Sequence, residues 1–514
     1  MSESKRIIKS TGVIMFFTLV GSILGFVVNI LLADYFGAGK QVDAFVIANI
    51  IPTFMLGVVY TLLVTCFIVV VVKLRKKVNN EVFIKKTSNV VNITLVLVAI
   101  STILLCIFSS VIIKLLAPGF DENMLVLTQN IFLILMFSVF FMTLTSFTTG
   151  FLYLKKHFFA TALQKTIISI FSLGLFIYFF EDWGIYGLAV GVVVGYILSF
   201  IVQLLVSLKK GLQHVWAFSI NDEVVKNIFA LAIPLFISGV FFQIHRSVPS
   251  VLASLLQTGD IATLNYAFIL ITFLSIFIGG SIATVLYPSL TEEIVQLNKK
   301  RVDKLISYGV RMNSFVVIPL SFIIILLNKE IISLIYEHGA FTATQTEAVS
   351  LALTMYAIGL FAYSLDPLLS KILYALEKMK VRAVLMFVLM ILTLVLGVIF
   401  MKPLGYAGLA LASTLAYTCI VLISFFIIKK IHGGINLTAL FTSLGKILFA
   451  SVCMAGVVLF ITKKINSYFM VSKLGIFLYL TTMTLIAIVT YIILLMLIKS
   501  REIEDLKLII KKYF

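Results

Sequence analysis

Two basic residues, Lys165 and Arg246, lie outside every charged loop of this sequence, each within a long apolar run. Arg246 follows His245 in FFQIHRSVPS, and Pro249 stands three residues on. A guanidinium can grip two phosphate oxygens at once. Its cost on membrane insertion scales, about 2.5–3.5 kcal/mol at the bilayer centre, favours a polar cavity over lipid. The plainer reading is an arginine near a helix end that snorkels to the surface. Pro249 predicts a helix break here, with backbone groups free to bind. Lys165 lies nearer the charged side of its run and fits snorkelling better.

The acidic candidates are Asp43 and Asp366. Asp43 follows the turn FGAGKQ and enters the next apolar run, with Pro52 further inside it. A carboxylate there either lines a cavity or meets the positive end of a helix dipole. Asp366, in YSLDPLLSK, is embedded more deeply, and pairing with Arg246 or with a substrate is expected. Asn29, Asn49, Gln203, Gln243 and Asn265 are neutral and suit interhelical hydrogen bonding. Pro52, Pro234, Pro288 and Pro319 predict kinks. No nucleotide-binding loop, zinc spacing or nucleophile elbow is present. Neither an enzyme nor a cofactor or metal requirement is expected.

The elements that hold these residues are membrane spans. The chain has 514 residues, 61% of them hydrophobic and 12% charged. Apolar runs of 18 or more residues recur throughout, each long enough to cross a hydrocarbon core of about 30 Å. The first, near 11–33, lacks a following cleavage site and reads as a retained span. An all-α integral membrane protein of fourteen transmembrane helices is predicted. Thirty-one of the 40 basic residues fall in alternate connections and at the two ends, which places both termini in the cytoplasm. The +18 charge is then a topology signal with attraction to anionic lipid, and no nucleic-acid partner is expected. The four cysteines sit in apolar runs and suggest neither disulfides nor a metal site.

The chain also repeats itself. GIYGLAVG at 184–191 resembles GYAGLALA at 405–412, and the offset of 221 residues recurs at Phe120/Phe341, Tyr153/Tyr374 and Tyr196/Tyr417. Gly39/Gly259 and Ala33/Ala253 are 220 apart. Two six-span halves of like orientation follow, at 1–215 and 216–432, with two further spans at 433–500 and a basic tail at 501–514. Parallel repeats of this kind belong to transporters whose halves rock about a central site. The tail mixes Leu506, Ile509 and Ile510 with lysines and suits either an amphipathic surface helix or a solvated one.

FGAGKQVDAF at 36–45 followed by Pro52, LAPGF at 116–120, VLYPSL at 285–290 and YEHGAFT at 336–342 together resemble the MurJ/MviN flippases. These belong to a superfamily of multidrug and lipid-linked oligosaccharide exporters. The resemblance covers essentially the whole chain. It implies two lobes around a cavity and alternating access. It also implies a polyprenyl-pyrophosphate-linked saccharide as cargo, lipid II in the best-known members, carried to the outer leaflet for cell-wall synthesis. Membrane lipids, and cell-wall synthesis proteins in some settings, would be the partners of a monomer.

The family's cavity arginines fall at Ser22, Val28, Leu56 and Ile269 here, which leaves Arg246, His245 and Lys165 to neutralise a pyrophosphate. The sodium ligands of some members are likewise missing, since the seventh span has no carboxylate and the eleventh neither Asp nor Asn. The alternatives are export of another lipid-linked glycan or an amphipathic drug, and a scaffold without transport.

Overall fold

In the computed structural model, residues 3–75, 77–432, 437–469 and 472–505 are described, and every regular element among them is helical. The last residues of the basic tail, 506–514, lie outside them. The long helices are strongly apolar, as spans in lipid are. Twelve are long and apolar enough to cross a membrane, or thirteen with one bent pair. One of the twelve, 54 residues long, would extend about 81 Å if straight, more than twice a hydrocarbon core. It is broken at Gly405, where φ is 56° and ψ −137°.

The chain divides into two compact units, Met1–Ala262 and Thr263–Phe514. The first holds α1 (Glu3–Phe36), α2 (Lys40–Ala48), α3 (Ile50–Tyr60), α4 (Phe67–Arg75), α5 (Asn80–Ile107), α6 (Ser109–Leu116), α7 (Glu122–Leu154), α8 (Phe159–Tyr178), α9 (Phe180–Trp183), α10 (Ile185–Lys209) and α11 (Glu223–Ala253). Helix α7 is its centre, touching α2 to α6 and α10, while α8 joins α10 to α1. The sequence repeat puts a boundary near 215, yet the compact unit runs on to 262 because α11 packs on α2 to α5.

Helix α12 (Asp260–Ser275) spans the division. The second unit continues with α13 (Ser281–Val295), α14 (Lys299–Leu326), α15 (Asn328–Tyr336), α16 (Ala343–Ala357), α17 (Leu360–Ala375), α18 (Met379–His432), α19 (Leu437–Phe469) and α20 (Lys473–Leu497). Helices α16 and α17 form the bent pair, with 46° between them. The last two helices pack on α14 through Ile323, Met454, Tyr479, Met483 and Tyr491.

Proline interrupts one of these runs and lies inside the others. Pro52 does interrupt its run: it cannot donate to Ala48 O, and α2 ends at Ala48 with Asn49 between the helices. Helix α11, by contrast, runs unbroken through Pro234 and Pro249, and Pro288 and Pro319 lie inside α13 and α14. The predicted break after Arg246 is therefore absent.

The repeat is written in the backbone as well. Gly184 has φ 49° and ψ −127°, close to the angles of Gly405, 221 residues later. Only glycine tolerates this conformation at low cost. Lys156 and Glu377, again 221 apart, have φ of 56° and 57°. Among the described residues each unit also has one π-helical turn in its corresponding span, Thr61–Cys66 and Ile276–Gly280. Both turns press backbone against another helix. A Cβ on Gly150 of α7 would lie 2.6 Å from Leu63 O, and one on Gly279 would lie 1.8 Å from Ser364 O of α17.

Candidate functional site

Lys165 is presented where α8 lies against α1. Thr166 Oγ1 donates to Phe17 O at 3.0 Å and Ser169 Oγ donates to Gly21 O at 3.2 Å, which fixes the register of the two helices. In that register Lys165 Nζ donates to Ser22 Oγ at 2.9 Å. The side chain is exposed. An ammonium has three N–H donors, and this contact uses one. Ser22 is one of the positions where the family resemblance leads one to look for arginine, so a cation does stand there, supplied from α8.

Arg246 is exposed on α11, and its neighbour His245 is buried. The two adjacent residues point to different environments, as a helix requires of consecutive positions. Asn29 and Asn49 behave locally. Asn29 Nδ2 donates to Gly25 O at 2.8 Å within its own helix. Asn49 is half-buried in the break beside Pro52, its N–H donating to Phe45 O and its carbonyl accepting from Thr53 N.

Asp43 is buried and caps a helix other than its own. Its Oδ2 accepts from Gly259 N at 2.6 Å and its Oδ1 from Ala262 N at 2.7 Å, at the start of α12. Both oxygens meet N–H groups that a helix N-terminus leaves unsatisfied. The carboxylate thus acts on a helix dipole, as one of the two sequence readings has it, but on that of a distant segment.

Asp366 corrects an expectation. Its partner is Arg382, and not Arg246 or an open substrate site. Arg382 Nη1 donates to Oδ1 at 2.7 Å and Nη2 to Oδ2 at 2.8 Å. This is a forked pair, buried between α17 and α18. Ser370 and Tyr417 hydroxyls donate to the same carboxylate at 3.5 Å. By charge pattern alone Arg382 reads as one of the basic residues of a connection. Its position a few residues inside α18, after a loop too short to carry it far, was the signal available.

A second polar group was legible only in part. Gln203, expected as interhelical glue, accepts from Thr148 and Thr149 of α7 at 3.0 and 2.9 Å and donates to Gln164 of α8 at 3.3 Å. In the second unit Asn313 donates to Ser364 O and Oγ, both at 2.9 Å. These groups are neutral and mutually satisfied, as glue in lipid must be. The charged side chains left exposed within spans of the first unit include Lys165 and Arg246.

Comparison with known proteins agrees with this architecture. A family profile described as lipid II flippase MurJ matches residues 32–498. A probable lipid II flippase MurJ of Buchnera aphidicola is 26% identical over 421 residues, 80% of this chain and 81% of its own length. That of Vibrio cholerae is 26% identical over 476 residues, 89% of each chain. Among solved structures, a lipid II flippase MurJ in an inward closed conformation superposes with a TM-score of 0.79 over 95% of this chain and 98% of its own, at 24% identity. An inward-facing multidrug transporter of the MATE family gives 0.68 over 84% and 98%, at 15% identity, and so shares the fold. With the profile running from the first span to the end of the last, this multi-pass membrane protein belongs to the lipid II flippase MurJ family.

Proposed function

We propose that this protein carries lipid II from the inner to the outer leaflet of the bacterial plasma membrane by alternating access, for peptidoglycan synthesis. The family match over residues 32–498 carries that reading. It works as a monomeric transporter with fourteen spans and both termini in the cytoplasm, and the break at Gly405 supports counting α18 as two passes. The basic asymmetry supports the orientation. Cysteines at Lys40 and Glu337 should label from outside, and cysteines at Lys77 and Lys300 should not.

Lys165 and Arg246 are the head-group cations in this reading. A pyrophosphate held away from water needs cationic partners, and both side chains are exposed on spans of the first unit. Asp43 and Asp366 are structural, each already holding two close donors. With no carboxylate in 225–247, the apolar run of the seventh span, transport proceeds in the absence of sodium. The test is flipping of lipid II in reconstituted vesicles, against a neutral polyprenyl-linked sugar. Selective flipping of lipid II, lost in Arg246→Ala, is the expected result. Equal flipping of the neutral lipid, or full activity of well-expressed Arg246→Ala, overturns the assignment of the head-group contacts.

A further inference from the structure

The segment joining α10 to α11 has neither helix nor strand from Leu212 to Ser219, so its backbone polar groups need partners elsewhere. Helix α5 supplies them. Val215 N donates to Ser88 Oγ at 3.1 Å, and Asn92 Nδ2 donates to Val215 O and Ala217 O at 3.3 and 2.9 Å. Asn89 exchanges two bonds with Ser219, donating to its carbonyl at 2.8 Å and accepting from its N–H at 2.7 Å. Lys86 pairs with Asp222 at 3.3 Å. Lys86, Asn89 and Asn92 recur every three residues and so share one face of α5. The connection is a strap, tied down along that face.

The strap is tied through backbone groups of Val215, Ala217 and Ser219, and its large side chains stay exposed. Trp216, Phe218 and Ile220 are 81%, 52% and 64% exposed. Three large apolar groups in a row facing water would be an unusual cost, and their depth offers another surroundings. Helix α5 has 28 residues and is about 42 Å long, roughly 12 Å more than a hydrocarbon core of about 30 Å. Its far end carries exposed Ile103, Leu104 and Ile107. With that end at the edge of the apolar layer, the excess is about eight residues from Asn80, which sets Ser88 to Asn92 at the boundary between acyl chains and headgroups. That boundary is where tryptophan collects. Lys85, Lys209, Lys210 and Lys226 flank the strap and are exposed.

We propose that the strap is an interfacial anchor: Trp216, Phe218 and Ile220 enter the headgroup boundary of the leaflet on the lysine-rich side. The four flanking lysines hold anionic lipid headgroups there. The partner is a bilayer surface of negative charge. The connection between the repeated halves is thereby bound to α5 and to lipid, and is not a free tether.

The chain has two tryptophans, and Trp183 stacks on Phe179 at 4.3 Å, so Trp183→Phe leaves Trp216 as the single reporter and keeps an aromatic ring in place. The full-length variant goes into nanodiscs of phosphatidylglycerol and phosphatidylcholine containing lipids brominated either near the headgroup or deep in the chain. Shallow bromines should quench Trp216 more strongly than deep ones, by about twofold or more, and acrylamide should quench it weakly. Strong acrylamide quenching without bromolipid quenching would place the strap in water, or against a soluble partner, and overturn the anchor. The triple variant Trp216→Ser, Phe218→Ser, Ile220→Ser alters outward side chains only. Replacing phosphatidylglycerol by neutral lipid should lower the melting temperature of the parent protein and change the triple variant less. Equal shifts in both would remove the anionic-lipid part of the proposal.

Discussion

The two halves of the repeat share a backbone and differ in how they use charge. Both place a left-handed residue at positions 156/377 and 184/405, and both put a π-helical turn against a neighbouring helix. Yet Asp366 and Arg382 of the second unit correspond, 221 residues earlier, to Thr145 and Thr161, both buried. Both hydroxyls bond locally, Thr145 Oγ1 donating to Phe141 O and Thr161 Oγ1 to Phe158 O. The first unit therefore has small polar groups at the two positions where the second has a forked ion pair. Conversely, Lys165 of the first unit corresponds to Met386, which is buried. At these matched positions charge is exposed at Lys165 in one half and locked away at Asp366 and Arg382 in the other.

The sharpest way to break this comparison is to remove one side of the locked pair. Asp366→Ala leaves Arg382 buried without its forked partner. Unfolding in detergent should show a loss of about 3–5 kcal/mol, with poor expression. The double variant Asp366→Thr, Arg382→Thr, which copies the first unit, should recover most of that loss. A double variant as unstable as the single one would show that the second unit depends on the charge pair in a way the first does not.

Asp43 is the next largest difference. With the 220-residue offset of its neighbour Gly39, its counterpart is Thr263, which is buried and uncharged. Asp43→Ala strips two N–H groups at the start of α12 of their acceptor. A loss of about 2–3 kcal/mol is expected, read as a lower midpoint in thermal unfolding. Asp43→Asn, which keeps one strong acceptor, should lose about half as much. An unchanged midpoint for Asp43→Ala would mean that the cap is replaceable by water.

These contrasts also mark how far the sequence could be read. Span positions and the 221-residue offset follow from hydrophobic run length and spacing, which are local properties. The bond from Lys165 to Ser22 and the pair Asp366–Arg382 join residues from different spans, and no periodicity announces them. Arg382 is indistinguishable from loop lysines in the sequence, because a basic residue just past a turn looks the same whether it turns toward water or back toward Asp366. Pro249 misled for a related reason: a proline bends a helix only as far as its neighbours allow, and α11 is held along its length by α2 to α5. The π-helical turns and the strap on α5 depend on which helices come together, so only the folded chain reveals them.

Lys165→Met tests the exposed side of the comparison by giving the first unit the residue of the second. The side chain is exposed and donates to the Ser22 hydroxyl, so the melting temperature should change little. Flipping of lipid II should fall about tenfold, equivalent to about 1.4 kcal/mol. Lys165→Arg should retain most of the activity. Wild-type rates for Lys165→Met would take the lysine out of the head-group contacts and leave Arg246 to carry them.

The smallest expected effect concerns what the second unit has and the first lacks, its two additional helices. Beyond α20, Glu502 is buried and accepts from the hydroxyls of Ser443 and Ser500, while Arg311 of α14 donates to it at 3.1 Å and to Asp505 at 3.1 Å. Lys446 of α19 donates to the carbonyls of Ile498 and Lys499. Residues 498–505 are thus sewn to α14 and α19 by one carboxylate and its neighbours. Burial alone would raise the Glu502 carboxyl, but the Ser443 and Ser500 hydroxyls, its own N–H and the Arg311 guanidinium together hold it below its ordinary value of 4.5. A carboxyl depressed on folding contributes stability that is complete above the unfolded value and is lost as the pH falls below it. Glu502→Gln should therefore be less stable than the parent by about 1 kcal/mol at neutral pH. The gap should persist down to about pH 5 and then close as the parent takes up its proton. Melting curves of both proteins across that range would decide the matter. A gap that stayed constant to pH 4 would mean that shape and hydrogen bonding hold the chain end, and that the charge of Glu502 contributes nothing.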